Sequence, residues 1–192
     1  MNRPPAGDTT PFAEAATVDP DARRLAEVMA ELYRRSPARA PWMAGDGYTC
    51  DGGALAAYLA AARLGIPASL HVGLYWHSDP VLRAELMGDY QGDISDEEWA
   101  AHLAGIEAGM LDEHHHWVTL HPGTEQPVLV DPNGPIRREA YLSPADDVDD
   151  RYQDGAEHLI YDPADNPEQI AADIYPGLVQ MLEAIIADQA WQ

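Results

Sequence analysis

Between positions 21 and 35 the apolar residues Leu25, Val28, Met29, Leu32 and Tyr33 recur at helical spacing and share one face. Asp19 before Pro20 reads as a cap followed by a residue suited to the first helical turn, and Pro37 and Pro41 close the segment. The pattern then changes. Residues 51–64 (Ala54, Leu55, Ala56, Ala57, Leu59, Ala60, Ala61 and Leu64 among them) leave almost no polar face, which predicts a helix buried on most sides. Gly65 ends it, with Pro67 beyond. From Ser69 to Trp76 the period shortens to two, through Leu70, Val72, Leu74 and Trp76, and predicts a strand.

Residues 80–110 return to helical spacing. Ser95 and Glu98 form a capping box ahead of Trp99, Leu103, Ile106 and Met110. Two strands follow, over His115–His121 and Val128–Asp131, joined through Pro122-Gly123-Thr124. Beyond Pro135 the chain is acidic and irregular until Ile170, Ile174, Leu178, Met181, Leu182 and Ile185 mark a last amphipathic helix, interrupted at Pro176-Gly177. Residues 1–18, with Pro4, Pro5, Gly7 and Pro11, read as a flexible arm. Helices followed by neighbouring antiparallel strands predict an α+β fold, with 19–192 as one domain built on a core at 42–135.

Charge narrows the partners. With 33 acidic against 11 basic residues the chain carries −22, which disfavours phosphate backbones and anionic headgroups as ligands. No nucleic-acid or membrane partner is therefore expected. All basic residues are Arg, and Lys is absent. A GC-rich genome explains that most simply; avoidance of self-modification by an amine-acylating enzyme is the sharper explanation. The first ten residues lack the apolar stretch of a secretory signal, which points to the cytosol.

One cysteine, Cys50, excludes an intramolecular disulfide and any thiolate-rich zinc site. It falls where a loop meets the Ala-rich helix. Helix N-termini favour the thiolate and offer N–H groups to a developing oxyanion. Gly47, Gly52 and Gly53 beside it suggest room for a substrate, while Asp51 opposes thiolate formation. His114-His115-His116-Trp117 opens one strand, and Val128-Leu129-Val130-Asp131 ends its neighbour. A hairpin pairing would bring His115 and Asp131 together, so that a carboxylate orients an imidazole acting on the thiol.

These segments resemble the transglutaminase-like core of the papain-like cysteine enzymes. The likeness lies in a Cys opening an Ala-rich helix, Gly-Ile-Pro-Ala leading into a strand, His-x-Trp-Val, and an apolar strand ending Val-Asp-Pro. It covers Cys50–Gly73 and His115–Gly134. The resemblance implies a buried helix carrying Cys50, packed on a small antiparallel sheet carrying His115 and Asp131. It also implies acyl transfer or hydrolysis of an amide or thioester through a thioester acyl-enzyme, without a cofactor. Cys50 would be the nucleophile, His115 the base and Asp131 its orienter. His116 is the rival base, since alternation sends adjacent strand residues to opposite faces. No Gln matches the papain-type oxyanion donor; Trp42 and Tyr48 are the loose candidates, with Trp117 a further substrate contact. The acidic insert, with Tyr90 and Trp99 among its carboxylates, would suit a peptide or small acyl substrate bearing a cationic or amine group, and an ordinary packed helical excursion explains it equally well.

Three other readings compete. Arylamine N-acetyltransferases share the triad and a similar His-to-Asp interval, but their Arg-Gly-Gly before the Cys is here Asp46-Gly47-Tyr48-Thr49. A His-rich metal protein would use His114 and His116 with His121 and Glu113 or Glu125, leaving Cys50 and Asp131 unexplained. A non-catalytic binding relative would keep the fold alone. The acidic run Asp146–Asp154 lacks the Gly and terminal Glu of an EF-hand loop, so no calcium site is expected.

Overall fold

The computed structural model describes residues 19–44, 47–76, 111–132, 141–144, 152–154 and 166–189, with the single positions 100 and 104. The chain is α+β: the described residues form four helices, a five-stranded antiparallel sheet and a two-stranded one. The arm at 1–18 and the acidic run at 146–151 lie outside the described residues. So does the predicted helix at 80–110, save positions 100 and 104.

Helix α1 spans Pro20–Arg35. The Asp19 carboxylate accepts hydrogen bonds from the N–H groups of Asp21 at 2.7 Å and Ala22 at 2.9 Å, satisfying donors that a helix start leaves open. One face, including Leu25, Val28, Met29 and Leu32, is buried. On the exposed side Arg34 and Arg35 converge on Glu31, and their hydrogen bonds hold its carboxyl down at about 2. Strands β1 (Met43–Ala44) and β2 (Gly47–Tyr48) form a short hairpin that leads into α2, Cys50–Leu64.

Helix α2 is the centre of the core, with every residue from Asp51 to Ala57 buried. Gly65 stops it in the left-handed region at φ 73°, where a side chain would be strained. The Ile66 N–H reaches back to the Ala61 carbonyl at 2.9 Å and completes the cap.

The larger sheet comprises β3 (Ala68–Trp76), β4 (Leu111–Leu120), β5 (Val128–Asp131), β6 (Tyr141–Pro144) and β7 (Tyr152–Asp154). Its order is β6-β5-β4-β3-β7. Leu70 opposes Val118 and Val118 opposes Val130, so Val118, Leu120, Val128 and Val130 present one apolar face to α2. Helices α3 (Pro167–Ile174) and α4 (Leu178–Gln189) meet at 114° through the Pro176-Gly177 turn and pack against α2 with Ile170, Leu178, Leu182 and Ile185. No single described helix is long and apolar enough to cross a membrane.

Both ends of β4 and the strands beyond Pro135 depart from the sequence expectation. Strand β4 begins at Leu111, four residues early, because its start pairs with Tyr75 and Trp76 past an irregularity between Gly73 and Tyr75. It ends at Leu120, since His121 turns the chain at φ 52°. Strands β6 and β7 lie in the segment read as irregular; their ladder bonds come from β5 and β3, which local pattern does not register.

Candidate active site

Cys50 is the first residue of α2, and the elements beneath it determine how its turn is built. Thr49 caps the helix, its hydroxyl accepting the Gly52 N–H at 3.0 Å, and its own N–H donates to the Trp42 carbonyl at 3.0 Å. The turn therefore sits directly on the β1–β2 hairpin. A Cβ on Gly52 would come within 2.7 Å of the Trp42 Cα, and one on Gly53 within 2.8 Å of the Tyr48 Cβ. These two glycines serve close packing of the protein on itself. The expectation that they make room for substrate is corrected accordingly, because the space beside them is already filled.

Two buried histidines stand side by side on β4. The Cys50 Sγ lies 4.0 Å from Nδ1 of His116. His116 follows the alternation of Val118 and Leu120, whose side chains belong to the core under α2. His115 follows Trp117 to the other face. There its Nε2 meets Oδ2 of Asp131 at 2.5 Å, with both residues almost fully buried. The hairpin thus brings His115 and Asp131 together across sixteen residues, and the fold brings Cys50 to His116 across sixty-six. Thiol, imidazoles and carboxylate are neighbours, distributed as two close pairs on adjacent residues of one strand.

The expected oxyanion and substrate contacts sit elsewhere. Trp42, buried, donates its indole N–H to the Ser36 hydroxyl at 2.8 Å. Tyr48, also buried, donates its hydroxyl to the Met29 carbonyl at 2.6 Å. Each side chain has one donor and spends it inside the core, which corrects their assignment as oxyanion donors. Burial also pushes the Tyr48 phenol far above its ordinary range. Trp117 stacks with His71 at 5.6 Å between ring centres and with His115 at 6.5 Å, on the face turned from α2. It belongs to a row running from His71, which pairs with the Ser69 hydroxyl at 2.7 Å, through His115 to Asp131.

One residue of this site carried no signal in the sequence. The hydroxyl of Tyr175, at the α3–α4 junction, donates to Oδ2 of Asp51, and both residues are buried. Burial and the adjacent carboxylate push this phenol well above its ordinary range, so it stays a neutral donor. A lone Tyr beyond a helix end 124 residues from its partner has no local pattern to reveal it.

The metal alternative is redistributed as well. His116 is turned to Cys50, and the side chain of His114 lies outside the described residues. Nε2 of His121 approaches the carboxylates of Asp19 at 3.3 Å and Asp21 at 3.6 Å, and the side chain of Glu113 lies outside the described residues. Among the described residues, these three supply the potential ligand atoms within 4.8 Å of one another. One Asp19 oxygen is already committed to the α1 cap.

Comparison of the chain with protein-family models, with curated proteins and with solved structures found no match.

Proposed function

We propose that this protein is a cysteine-nucleophile acyltransferase or hydrolase whose reacting thiol is Cys50, arranged in the manner of the transglutaminase-like, papain-like enzymes. The 4.0 Å approach of its sulfur to a buried imidazole, at the N-terminus of a buried helix, carries the reading. In this scheme His116 takes the thiol proton as sulfur bonds to the carbonyl carbon of an amide or thioester. First-turn N–H groups of α2 face the oxyanion. The intermediate collapses as the imidazolium gives its proton to the leaving amine or thiol, which leaves a thioester on Cys50. Water or an amine, deprotonated by the same ring, then attacks the thioester and restores the thiol.

A second assignment of the base is favoured by the His115–Asp131 bond. Here Asp131, bonded to Nε2 of His115, would orient that ring, which would have to turn from the face opposite α2 to reach the thiol. Replacing each ring in turn by Gln separates the two assignments. The substrate is a peptide or small acyl compound; the net charge of −22 favours one with a cationic or amine group. The test of the activity is turnover of a panel of activated esters and thioesters. Cys50→Ala abolishes it under this reading, and unchanged turnover in that variant overturns the reading.

A further inference from the structure

The C-terminal helices hold α2 at both of its ends. Near its end, Arg63 pairs with Glu168 of α3 at 2.8 Å and Glu183 of α4 at 3.4 Å. At its start, Asp51 receives the hydroxyl of Tyr175. Helix α3 therefore runs antiparallel to α2, with its beginning at the end of α2 and its end beside Cys50. Tyr175 itself is fixed: its N–H donates to Ala171 at 2.9 Å, its carbonyl accepts the Leu178 N–H at 3.1 Å, and its side chain is buried.

We propose that Tyr175 is a positioning residue of the thiol site, acting on Cys50 through Asp51. This rests on the assignment of Cys50 as nucleophile. Asp51 follows the thiol directly, and a buried carboxylate there opposes thiolate formation. A phenol hydrogen bond draws charge density from that carboxylate and fixes its rotamer, and so reduces its effect on the sulfur. The Thr49 hydroxyl, which caps α2, interacts with the same phenol, so cap, thiol and carboxylate share one anchor. His116 of β4 and Tyr48 of β2 also pack around this turn. Tyr48 is spent on the Met29 carbonyl.

The experiment is the rate of Cys50 alkylation by iodoacetamide across pH, in the full chain and three variants. Tyr175→Phe slows alkylation at pH 7 by about three- to tenfold and moves the profile to higher pH, as a more effective neighbouring negative charge does. Asp51→Asn speeds it and moves the profile to lower pH. The double variant behaves like Asp51→Asn alone, because the phenol acts through the carboxylate. Circular dichroism and thermal melting report folding in each case. A folded Tyr175→Phe protein with an unshifted profile overturns the proposal, and so does a double variant in which the two effects add. If Tyr175→Phe fails to fold, Asp51→Asn decides alone, and an unaltered profile there overturns it. Ester turnover in the same samples keeps the two claims apart: absent turnover with a shifted profile defeats the enzyme reading and not this one.

Discussion

His115 and Asp131 meet at 2.5 Å on adjacent antiparallel strands, and almost no surface of either residue reaches solvent. Removing one member of such a pair strands the other in the interior, which costs about 3–5 kcal/mol. Asp131→Ala is expected to lose stability of that order by urea denaturation, whereas His115→Leu with Asp131→Leu, which removes both polar partners, loses less. A single variant within about 1 kcal/mol of the parent would remove the pair from the account of the fold.

The Cys50–His116 approach makes the kinetic prediction. A positioned base contributes roughly 10²–10⁴-fold, so His116→Gln should lower kcat/KM for an activated ester by at least about a hundredfold. His115→Gln should lower it less, through disturbed packing of the strand beneath. The reverse ranking would assign the base to His115 and its Asp131 partner.

Gly52 is constrained by backbone. A methyl group there would stand 2.7 Å from the Trp42 Cα and 2.5 Å from the Thr49 hydroxyl oxygen that caps α2. Gly52→Ala must displace the hairpin or the cap, and overpacking of this kind costs about 1–3 kcal/mol. Helix propensity alone would favour Ala. A lowered Tm with slower Cys50 alkylation is expected; a raised Tm would show that the turn has slack.

Two buried phenols set the alkaline limit. Tyr48 and Tyr175 are held above the ordinary tyrosine range by burial, and Tyr175 also by Asp51. A group raised in the fold contributes stability that is intact below its unfolded value, about 10, and is lost as pH rises through the folded one. Stability should fall progressively above about pH 10, and the share of the tyrosinate absorbance that Tyr48→Phe removes should appear together with unfolding. Tyr48→Phe should flatten that fall while lowering stability at pH 7 through the lost bond to Met29. Ionisation of Tyr48, read as the absorbance that Tyr48→Phe removes, well before any unfolding would contradict the burial.

Much of this was legible in the residues, for physical reasons that also mark where it stopped. The Ala-rich run stopping at Gly65 announced α2, because helix propensity and a glycine cap are local. The Pro122-Gly123-Thr124 turn announced the hairpin, and with it the meeting of residues 115 and 131. Which histidine faces Cys50 depends on the face of the sheet that α2 covers, a tertiary fact that alternation alone leaves open. Trp42 and Tyr48 looked available because their partners, Ser36 and the Met29 carbonyl, are brought in by α1 and the turn after it. Tyr175 was silent for the same reason: its role exists only once α3 lies against α2.

The central claim is that Cys50 becomes acylated. The most direct measurement is intact mass after brief reaction with a p-nitrophenyl acyl ester and acid quench, followed by peptide mapping. With no Lys side chain in the sequence, competing amide adducts are few. The account predicts one hydroxylamine-labile acyl group on Cys50, absent in Cys50→Ala and formed more slowly in His116→Gln. Acylation of Cys50 no faster than in the urea-unfolded chain would contradict it.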